Sequence, residues 1–107
     1  MSNKIDTDQL MNNVVATLRT CYDPEIPVNI YDMGLIYDIK VNEAGAVEVI
    51  MTLTSPACPV AELLPAQVQA QLNQTALVSQ ARVLVTWEPP WDPSLMNEEA
   101  KLELGLF

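Results

Sequence analysis

Apolar residues recur along this chain with two different periods, and each period predicts a type of secondary structure. Near the N-terminus the spacing is three and four residues, which predicts an amphipathic helix with Asp6 or Thr7 as its N-cap, ending within 19–22. The apolar stripe of this helix consists of Leu10, Met11, Val14, Val15 and Leu18.

Two later stretches alternate between apolar and polar residues, as strands with one buried face do. Between them lies Asn-Glu-Ala-Gly-Ala, in which Gly45 can adopt a positive φ, so we expect a hairpin loop and an antiparallel pair. The shared faces are Leu35, Tyr37, Ile39 and Val41 in the first strand, and Val47, Val49, Met51 and Leu53 in the second.

The second half of the chain predicts a helix, a third strand and a short closing helix. Pro65 interrupts the helical pattern after residue 59, so we expect a kink or a fresh start there. Asp92 and Pro93 suit the N-cap and first position of the closing helix. The third strand has Val83, Val85 and Trp87 on one face, and the closing helix offers Leu95, Met96, Leu102 and Leu104.

The order of elements, helix, strand, strand, helix, strand and closing helix, predicts the fold class. We expect a two-layer α+β domain whose helices pack on one face of a small mixed sheet. The chain has 107 residues and half of them are hydrophobic, so residues 1–107 should form a single domain.

Charge narrows the range of partners. The chain has 14 Asp and Glu residues against 5 Lys and Arg residues, and this acidic balance disfavours nucleic acid and anionic lipid surfaces as partners. No apolar run approaches the roughly 20 residues that span a bilayer, and the first residues lack the apolar core of a signal peptide. We therefore expect a cytoplasmic protein whose Cys21 and Cys58 are free thiols.

The residue inventory excludes several chemistries. Without histidine there is no Ser-His-Asp or Cys-His arrangement, and the three glycines do not form a phosphate-binding loop. Two cysteines are too few for a closed zinc site or an all-cysteine iron–sulfur cluster within one subunit. The remaining candidates are one thiol, Cys58, and several carboxylates.

Cys58 lies between Pro56 and Pro59, where the second strand leads into the second helix. Because proline suits the first helical position, Cys58 should lie at or next to the N-cap, where free N–H groups and the helix dipole favour a thiolate. The structural alternative is a small buried hydrophobe at the end of the strand. The position favours a functional thiol that contacts metal or sulfur.

Three blocks of the sequence together resemble the SufT family of iron–sulfur assembly proteins, which shares a domain with the phenylacetate-pathway protein PaaD. The resemblance extends from about Leu10 to Gly105 and implies a non-enzymatic role in maturing or delivering iron–sulfur clusters. The blocks are DPEIPVNIYDMGLIYDIKV, VEVIMTLTSPACPVAELLP and VTWEPPWDPSLMNEEAKLELGL.

The resemblance assigns roles residue by residue. The family's reactive cysteine falls on Cys58, within a motif that also contains Thr54 and Pro59. Its Asp-Pro-Glu motif falls on 23–25, that is Asp23, Pro24 and Glu25. Ala57 stands where relatives often have glycine, which we interpret as a tolerated variation. Cys21 lies outside the motif, so we favour an apolar structural role for it over a second ligand.

Further side chains each have two interpretations. Asp23, Glu25 and Asp32 lie in a segment, DPEIPVNIYDMG, whose prolines predict an ordered extended loop. They could supply oxygen ligands to iron or accept hydrogen bonds, and for Asp32 we favour the structural role. Trp91 could dock a partner, although packing is favoured, and Trp87 should lie in the core.

Our functional hypothesis is an accessory factor in iron–sulfur cluster assembly, maturation or delivery, with Cys58 as transient ligand to a cluster, to iron or to sulfur. No cofactor should be tightly bound within one subunit, and a homodimer would bring two Cys58 thiols together. The expected partners are iron–sulfur assembly or carrier proteins and apo client proteins. The alternatives are a metal-free scaffold, a PaaD-like factor for one oxygenase, or an enzyme of thiol or persulfide exchange.

Overall fold

A computed structural model describes residues 4–22, 28–53 and 60–105 of the chain. The order of helices and strands agrees with the order expected from the sequence. The elements are α1 (Thr7–Leu18), β1 (Ile36–Val41), β2 (Ala46–Met51), α2 (Val60–Asn73), β3 (Gln80–Val85), a 3-10 turn (Pro93–Leu95) and α3 (Glu98–Glu103).

The three strands form one mixed sheet in the order β1-β2-β3. β1 and β2 are antiparallel, joined by the expected hairpin, in which Gly45 has a φ of +85°. β2 and β3 are parallel, with Val49 opposite Val83, and α2 provides the crossover that a parallel connection requires. This topology confirms the predicted mixed sheet.

The core lies between the sheet and the two long helices, which confirms the two-layer arrangement. Side chains on one stripe of each helix meet the alternating inward residues of the strands, as amphipathic helices on a sheet do. The central buried residues are Leu10, Val14 and Leu18 of α1, Leu64, Val68 and Leu72 of α2, and Val47, Val49, Met51 and Ala81 of the sheet.

The start and end of α1 agree with the sequence prediction. The Asp6 carboxylate accepts hydrogen bonds from the Asp8 N–H at 2.9 Å and the Gln9 N–H at 3.3 Å, so Asp6 is the N-cap. Arg19 caps the other end of the helix. No helix in 4–22, 28–53 or 60–105 is long and apolar enough to cross a bilayer.

The predicted inward face of β1 is wrong at Tyr37, whereas Leu35 is buried as expected. The register shifts between Ile36 and Asp38, so that Tyr37 is an extra residue in a β-bulge. Ile36 opposes the buried Met51 and packs against the core in place of Tyr37. The Tyr37 hydroxyl instead donates a hydrogen bond to the Pro89 carbonyl at 2.8 Å. A strict alternation of inward and outward residues cannot anticipate an extra residue of this kind.

A fresh helix start at Pro65 is also wrong, because α2 is a single helix with Pro65 inside it. Proline lacks the N–H that would bond four residues back, and here that partner lies in the first turn. The helix therefore loses one hydrogen bond near its start and keeps the rest of its ladder.

The closing segment divides into two short elements where one helix was expected. Asp92 does act as an N-cap, accepting from the Ser94 N–H at 2.8 Å, but the element it caps is the 3-10 turn. Asn97 caps α3 by accepting from the Ala100 N–H at 2.9 Å. Met96 is buried, whereas Leu95 and Leu102 are exposed, contrary to the predicted apolar face.

Candidate functional site

The motif residues that the sequence singled out lie outside the described residues, so their roles stay predictions. The structure instead defines the two places where the motif segments join the fold. The residues concerned are Cys58, Thr54, Pro59, Asp23, Pro24 and Glu25.

The segment 54–59 connects the buried end of β2 to the start of α2. Thr52 is fully buried and its N–H donates to the Leu35 carbonyl at 2.8 Å, while Leu53 is also buried. On the other side, α2 begins at Val60 and continues for 14 residues. In the sequence, Cys58 is therefore two residues before the start of a long helix. The first N–H groups of such a helix lack intrahelical partners.

The segment 23–27 is flanked by two residues that pair with each other. Tyr22 and Asn29 form an antiparallel bridge, and the Ile30 N–H donates to the Cys21 carbonyl at 2.9 Å. Val28 is buried in the core. Both ends of the Asp-Pro-Glu segment are thus fixed beside each other at the C-terminal end of α1.

One cleft joins these two flanks. Its volume is about 450 Å³, and residues that follow the end of α1 line it together with α2 residues from Leu64 to Gln71. Tyr22 from the first flank and Leu64 from α2 both line it. The two motif segments therefore leave the described fold from the same region. The lining residues are Thr20, Cys21, Tyr22, Leu64, Gln67, Val68 and Gln71.

Two exposed apolar side chains lie in this region, and the sequence analysis did not single out either of them. Tyr22 is 51% exposed and Leu63 on α2 is 61% exposed. Leu63 and Leu64 are consecutive leucines, and only Leu64 is buried. Single exposed apolar residues are common on protein surfaces. These two, however, are close in sequence to the motif segments: Tyr22 immediately precedes 23–27, and Leu63 follows 54–59 by four residues.

Cys21 is a buried free thiol, as the structural interpretation expected. Its Sγ donates a weak hydrogen bond to the Thr17 carbonyl at 3.5 Å. Burial raises the pKa of this thiol above its ordinary value of 9.0, although the nearby Thr20 hydroxyl lowers it in part. Cys21 is therefore protonated at neutral pH, and a protonated thiol is a poor metal ligand and nucleophile.

Asp32 has a structural role, which agrees with the interpretation favoured from the sequence. Its carboxylate is buried and accepts hydrogen bonds from Asn29 Nδ2 and from Asn97 Nδ2, each at 2.8 Å. Arg19 Nε lies 3.5 Å from the same carboxylate, and the Arg19 guanidinium stacks 5.2 Å from the centre of the Tyr31 ring. Asp32 thus connects the end of α1, the loop before β1 and the N-cap of α3.

Trp91 agrees with the interpretation favoured from the sequence, whereas Trp87 does not. Trp91 is half-buried against the core and its indole N–H donates to the Met33 carbonyl at 2.8 Å, so packing accounts for this residue. A docking role for Trp91 stays a prediction. Trp87, expected in the core, is 41% exposed because β3 ends at Val85 before reaching it.

Among the described residues, no group of three or more His, Cys, Asp or Glu side chains is arranged to hold a metal ion. The Asp32 carboxylate, the best placed of the acidic groups by burial, is already occupied by two amides and a guanidinium.

Comparisons with known proteins define the class to which this fold and these motifs belong. Residues 12–85 match the sequence profile of a family described as iron–sulfur cluster assembly protein. The chain therefore belongs to the iron–sulfur cluster assembly protein family, and the resemblance drawn from the three sequence blocks is confirmed.

Individual relatives narrow the class. The chain is 46% identical over 99 residues to an Fe–S protein maturation auxiliary factor of Porphyromonas gingivalis, covering 92% of this chain and 94% of that protein. It is 36% identical over 84 residues to the Fe–S protein maturation auxiliary factor SufT of Staphylococcus aureus, covering 78% and 96% of the two chains.

A solved structure shares the fold. A crystal structure of a Bacillus anthracis domain of unknown function superposes with a TM-score of 0.84 at 34% identity, covering 94% of this chain and 95% of that one. The α+β architecture of this chain is thus shared with that solved structure.

Proposed function

We propose that this chain, an accessory factor of iron–sulfur protein maturation, acts through Cys58 as a transient ligand to its cargo. The cargo is a cluster, iron or sulfur on its way to a recipient protein. The observation that carries the accessory role is the family match, which spans both motif segments, and it is supported by similarity to relatives named maturation auxiliary factors over most of their length.

The position of Cys58 beside α2 supports a reactive thiol. Free N–H groups and the positive end of the dipole at the start of a 14-residue helix favour an anion nearby. Helix N-termini are among the settings that lower the pKa of cysteine, and the thiolate is the form that binds metal or attacks sulfur. Cys21 lacks this setting because it is buried with a raised pKa.

The arrangement of the flanks supports a joint site for the two motifs. The cleft between the residues that follow α1 and the α2 residues Leu64 to Gln71 connects the anchor of 23–27 to the helix that follows 54–59. In this proposal Asp23 and Glu25 approach the thiol and either supply oxygen ligands or orient the recipient protein. One thiol and two carboxylates form an open ligand set, which suits cargo that must leave again.

The surface around the cleft supports contact with recipient proteins. Tyr22 and Leu63 present apolar area at the flanks of both motifs, and exposed tyrosines are frequent in protein interfaces. This surface is also the basis of the second candidate function, a scaffold that brings a recipient to a cluster carrier without itself touching the cargo. In both functions the chain is an accessory factor and catalyses no turnover of a small molecule.

The test uses cells that lack this protein and measures the activity of an iron–sulfur dehydratase such as aconitase. The cells receive the parent chain, Cys58→Ala or Cys21→Ala at matched protein levels. We expect rescue by the parent and by Cys21→Ala, and loss of rescue by Cys58→Ala. Cys21→Ala is the matched control, since it removes the other thiol of the same chain.

Other outcomes separate the alternatives. Full rescue by Cys58→Ala, with loss of rescue by Tyr22→Ser or Leu63→Ser, would contradict the thiol role and favour the scaffold. Rescue by no variant, the parent included, would point to a narrower client such as a single oxygenase. An enzyme of persulfide exchange would instead require turnover and an iodoacetamide reaction at Cys58 faster than that of an ordinary thiol.

A further inference from the structure

The two outer edges of the three-stranded sheet differ in how their backbone groups are satisfied. At the β3 edge, side chains of α2 take the outward N–H groups. The Ala81 N–H donates to Asn73 Oδ1 at 2.9 Å, and the Val83 N–H donates to Gln69 Oε1 at 3.0 Å. These contacts occupy the donors that an added strand would need, so the β3 edge is closed to pairing.

Among the residues that the structure describes, none covers the β1 edge in this way. The Asn42 N–H donates to the Ala46 carbonyl, and antiparallel bonding alternates along a strand, so Lys40 and Asp38 also direct their backbone groups toward β2. Ile39 and Val41 therefore direct their N–H and C=O groups outward. Within 4–22, 28–53 and 60–105, no backbone or side-chain group bonds to them.

We propose that β1 of a second copy of this chain occupies this edge, antiparallel and centred on Ile39. The two three-stranded sheets would then form one continuous sheet of six strands across a two-fold axis. At the axis, the Ile39 N–H of each copy donates to the Ile39 carbonyl of the other. This inference is independent of any role of Cys58.

The charges of β1 select this register. With Ile39 on the axis, Asp38 of each copy lies opposite Lys40 of the other, which makes two identical attractive pairs. These are non-hydrogen-bonded positions, where opposing side chains come closest. Moving the axis to Asp38 would place two aspartates opposite each other, and moving it to Lys40 would place two lysines opposite each other. Both side chains are available, since their contact within one chain is a loose 4.0 Å pair between exposed groups.

A cleft beside the same edge, lined by apolar side chains together with Tyr37 and Asp38, supports the pairing. It lies between α1 and β1, has a volume of about 330 Å³, and is open to solvent along the strand. Met11 and Val15 of α1 line one side, and Tyr31, Ile36 and Ile39 line the other. In the paired arrangement the same residues of the second copy lie across the axis, so partly exposed apolar area on both copies is covered.

Lys40 and the bulge at Tyr37 have an opposing interpretation, because lysines and bulges also protect sheet edges from pairing. An edge lysine discourages association when it meets another lysine or an apolar strand. Here Asp38 lies two residues before Lys40, so pairing about Ile39 places each lysine opposite an aspartate of the other copy. The bulge limits the ladder to a few residues, so the dimer should be reversible and concentration-dependent.

The experiment measures the mass of the full-length chain by sedimentation velocity from micromolar to millimolar concentration, starting from a monomer of 11.8 kDa. We expect the parent to approach twice this mass as concentration rises. Asp38→Lys and Lys40→Glu each turn two attractive pairs into two repulsive ones. Either variant alone should raise the dimer dissociation constant by about tenfold or more.

The decisive sample is an equimolar mixture of these two variants. In a mixed pair, the lysine at position 38 of one copy faces the glutamate at position 40 of the other, and the native Lys40 faces the native Asp38. The mixture should therefore recover the parent's association, although the ion pair within each chain is broken in both variants. Glu103→Lys and Lys101→Glu on α3 change the net charge equally and should dimerise as the parent does, as should Cys58→Ala.

A parent chain that is monomeric up to millimolar concentration would overturn the inference and leave Lys40 as edge protection. Single variants that dimerise as well as the parent, or a mixture that stays monomeric while the parent dimerises, would overturn the register. Circular dichroism of each variant verifies that it is folded. Asp38 and Lys40 are exposed edge residues, so we expect all variants to fold.

Discussion

The buried carboxylate of Asp32 offers the most stringent test of how the fold is held together. Asp32→Asn keeps the shape of the side chain and removes its charge and one of its two acceptor oxygens. In the parent, one oxygen accepts from Asn29 Nδ2 and the other from Asn97 Nδ2. After the substitution, one of these two asparagine amides must face another N–H₂ group, and both asparagines are half-buried.

The expected magnitude follows from these contacts. Loss of a charge-assisted hydrogen bond at a buried site costs about 1.5–3 kcal/mol. The pair with Arg19, at 3.5 Å and half-exposed, adds at most about 1 kcal/mol. We therefore expect the free energy of unfolding to fall by about 2–4 kcal/mol, which lowers the melting temperature of a domain of this size by roughly 10–25 °C.

Urea unfolding followed by far-ultraviolet circular dichroism measures this difference, with linear extrapolation to water. Asp8→Asn in the first turn of α1 is the matched control, because its carboxylate is exposed and should contribute no more than about 0.5 kcal/mol. Hydrogen exchange of the Asn97 N–H, which donates to the Asp32 carbonyl at 3.0 Å, should accelerate in the variant. An Asp32→Asn stability equal to that of Asp8→Asn would refute the reasoning.

Two further predictions concern close packing and the buried thiol. Gly34→Ala should destabilise the fold by about 2–4 kcal/mol, since a Cβ there would overlap the Leu95 backbone at a φ of +79°. Gly105→Ala, with a φ of +71° and open space, isolates the backbone contribution and should cost about 1 kcal/mol; equal losses in urea titrations would contradict the packing argument. Cys21 should react with iodoacetamide at least about tenfold more slowly in the native chain than in urea, as measured by peptide mass spectrometry. Because its folded pKa lies above its ordinary value of 9.0, its contribution to stability is complete below that pH and should be lost as pH rises further; stability that increases there would contradict this sign.

The sequence was sufficient for the parts of the fold that depend on local periodicity. The α1 stripe, the Asp6 cap and the Gly45 hairpin each follow from spacing and residue type within one element. The bulge at Tyr37 does not follow from local spacing, because it depends on the register of β1 against β2. Either Ile36 or Tyr37 could supply an apolar side chain to the core, so the pattern does not distinguish them. The prediction that Trp87 lies in the core is wrong for a related reason. The end of β3 is determined by its pairing with β2, which stops at Val85, and not by the apolar pattern of β3 itself.

The surroundings of the candidate site could be predicted only in part. Burial of Cys21 and the structural role of Asp32 were favoured because single buried thiols and turn aspartates are common. The partners of Asp32 could not be found from sequence, since Asn97 is 65 positions away and joins it only through the packing of the closing segment. The cleft that connects the two motif flanks likewise depends on how α1 packs against α2.

The Asp32 network also determines how a loss of function should be interpreted. Asn29 bonds Asp32 and pairs with Tyr22, so the anchor of the Asp-Pro-Glu segment depends on the same carboxylate that holds the N-cap of α3. Asp32→Asn should therefore reduce maturation of recipient enzymes in proportion to the loss of folded protein, and lowering the growth temperature should restore it. Cys58→Ala should reduce maturation at every temperature without a change in unfolding free energy. If Asp32→Asn impaired maturation while its folded fraction and protein level equalled those of the parent, the carboxylate would have a direct role in the site that its hydrogen bonds do not suggest.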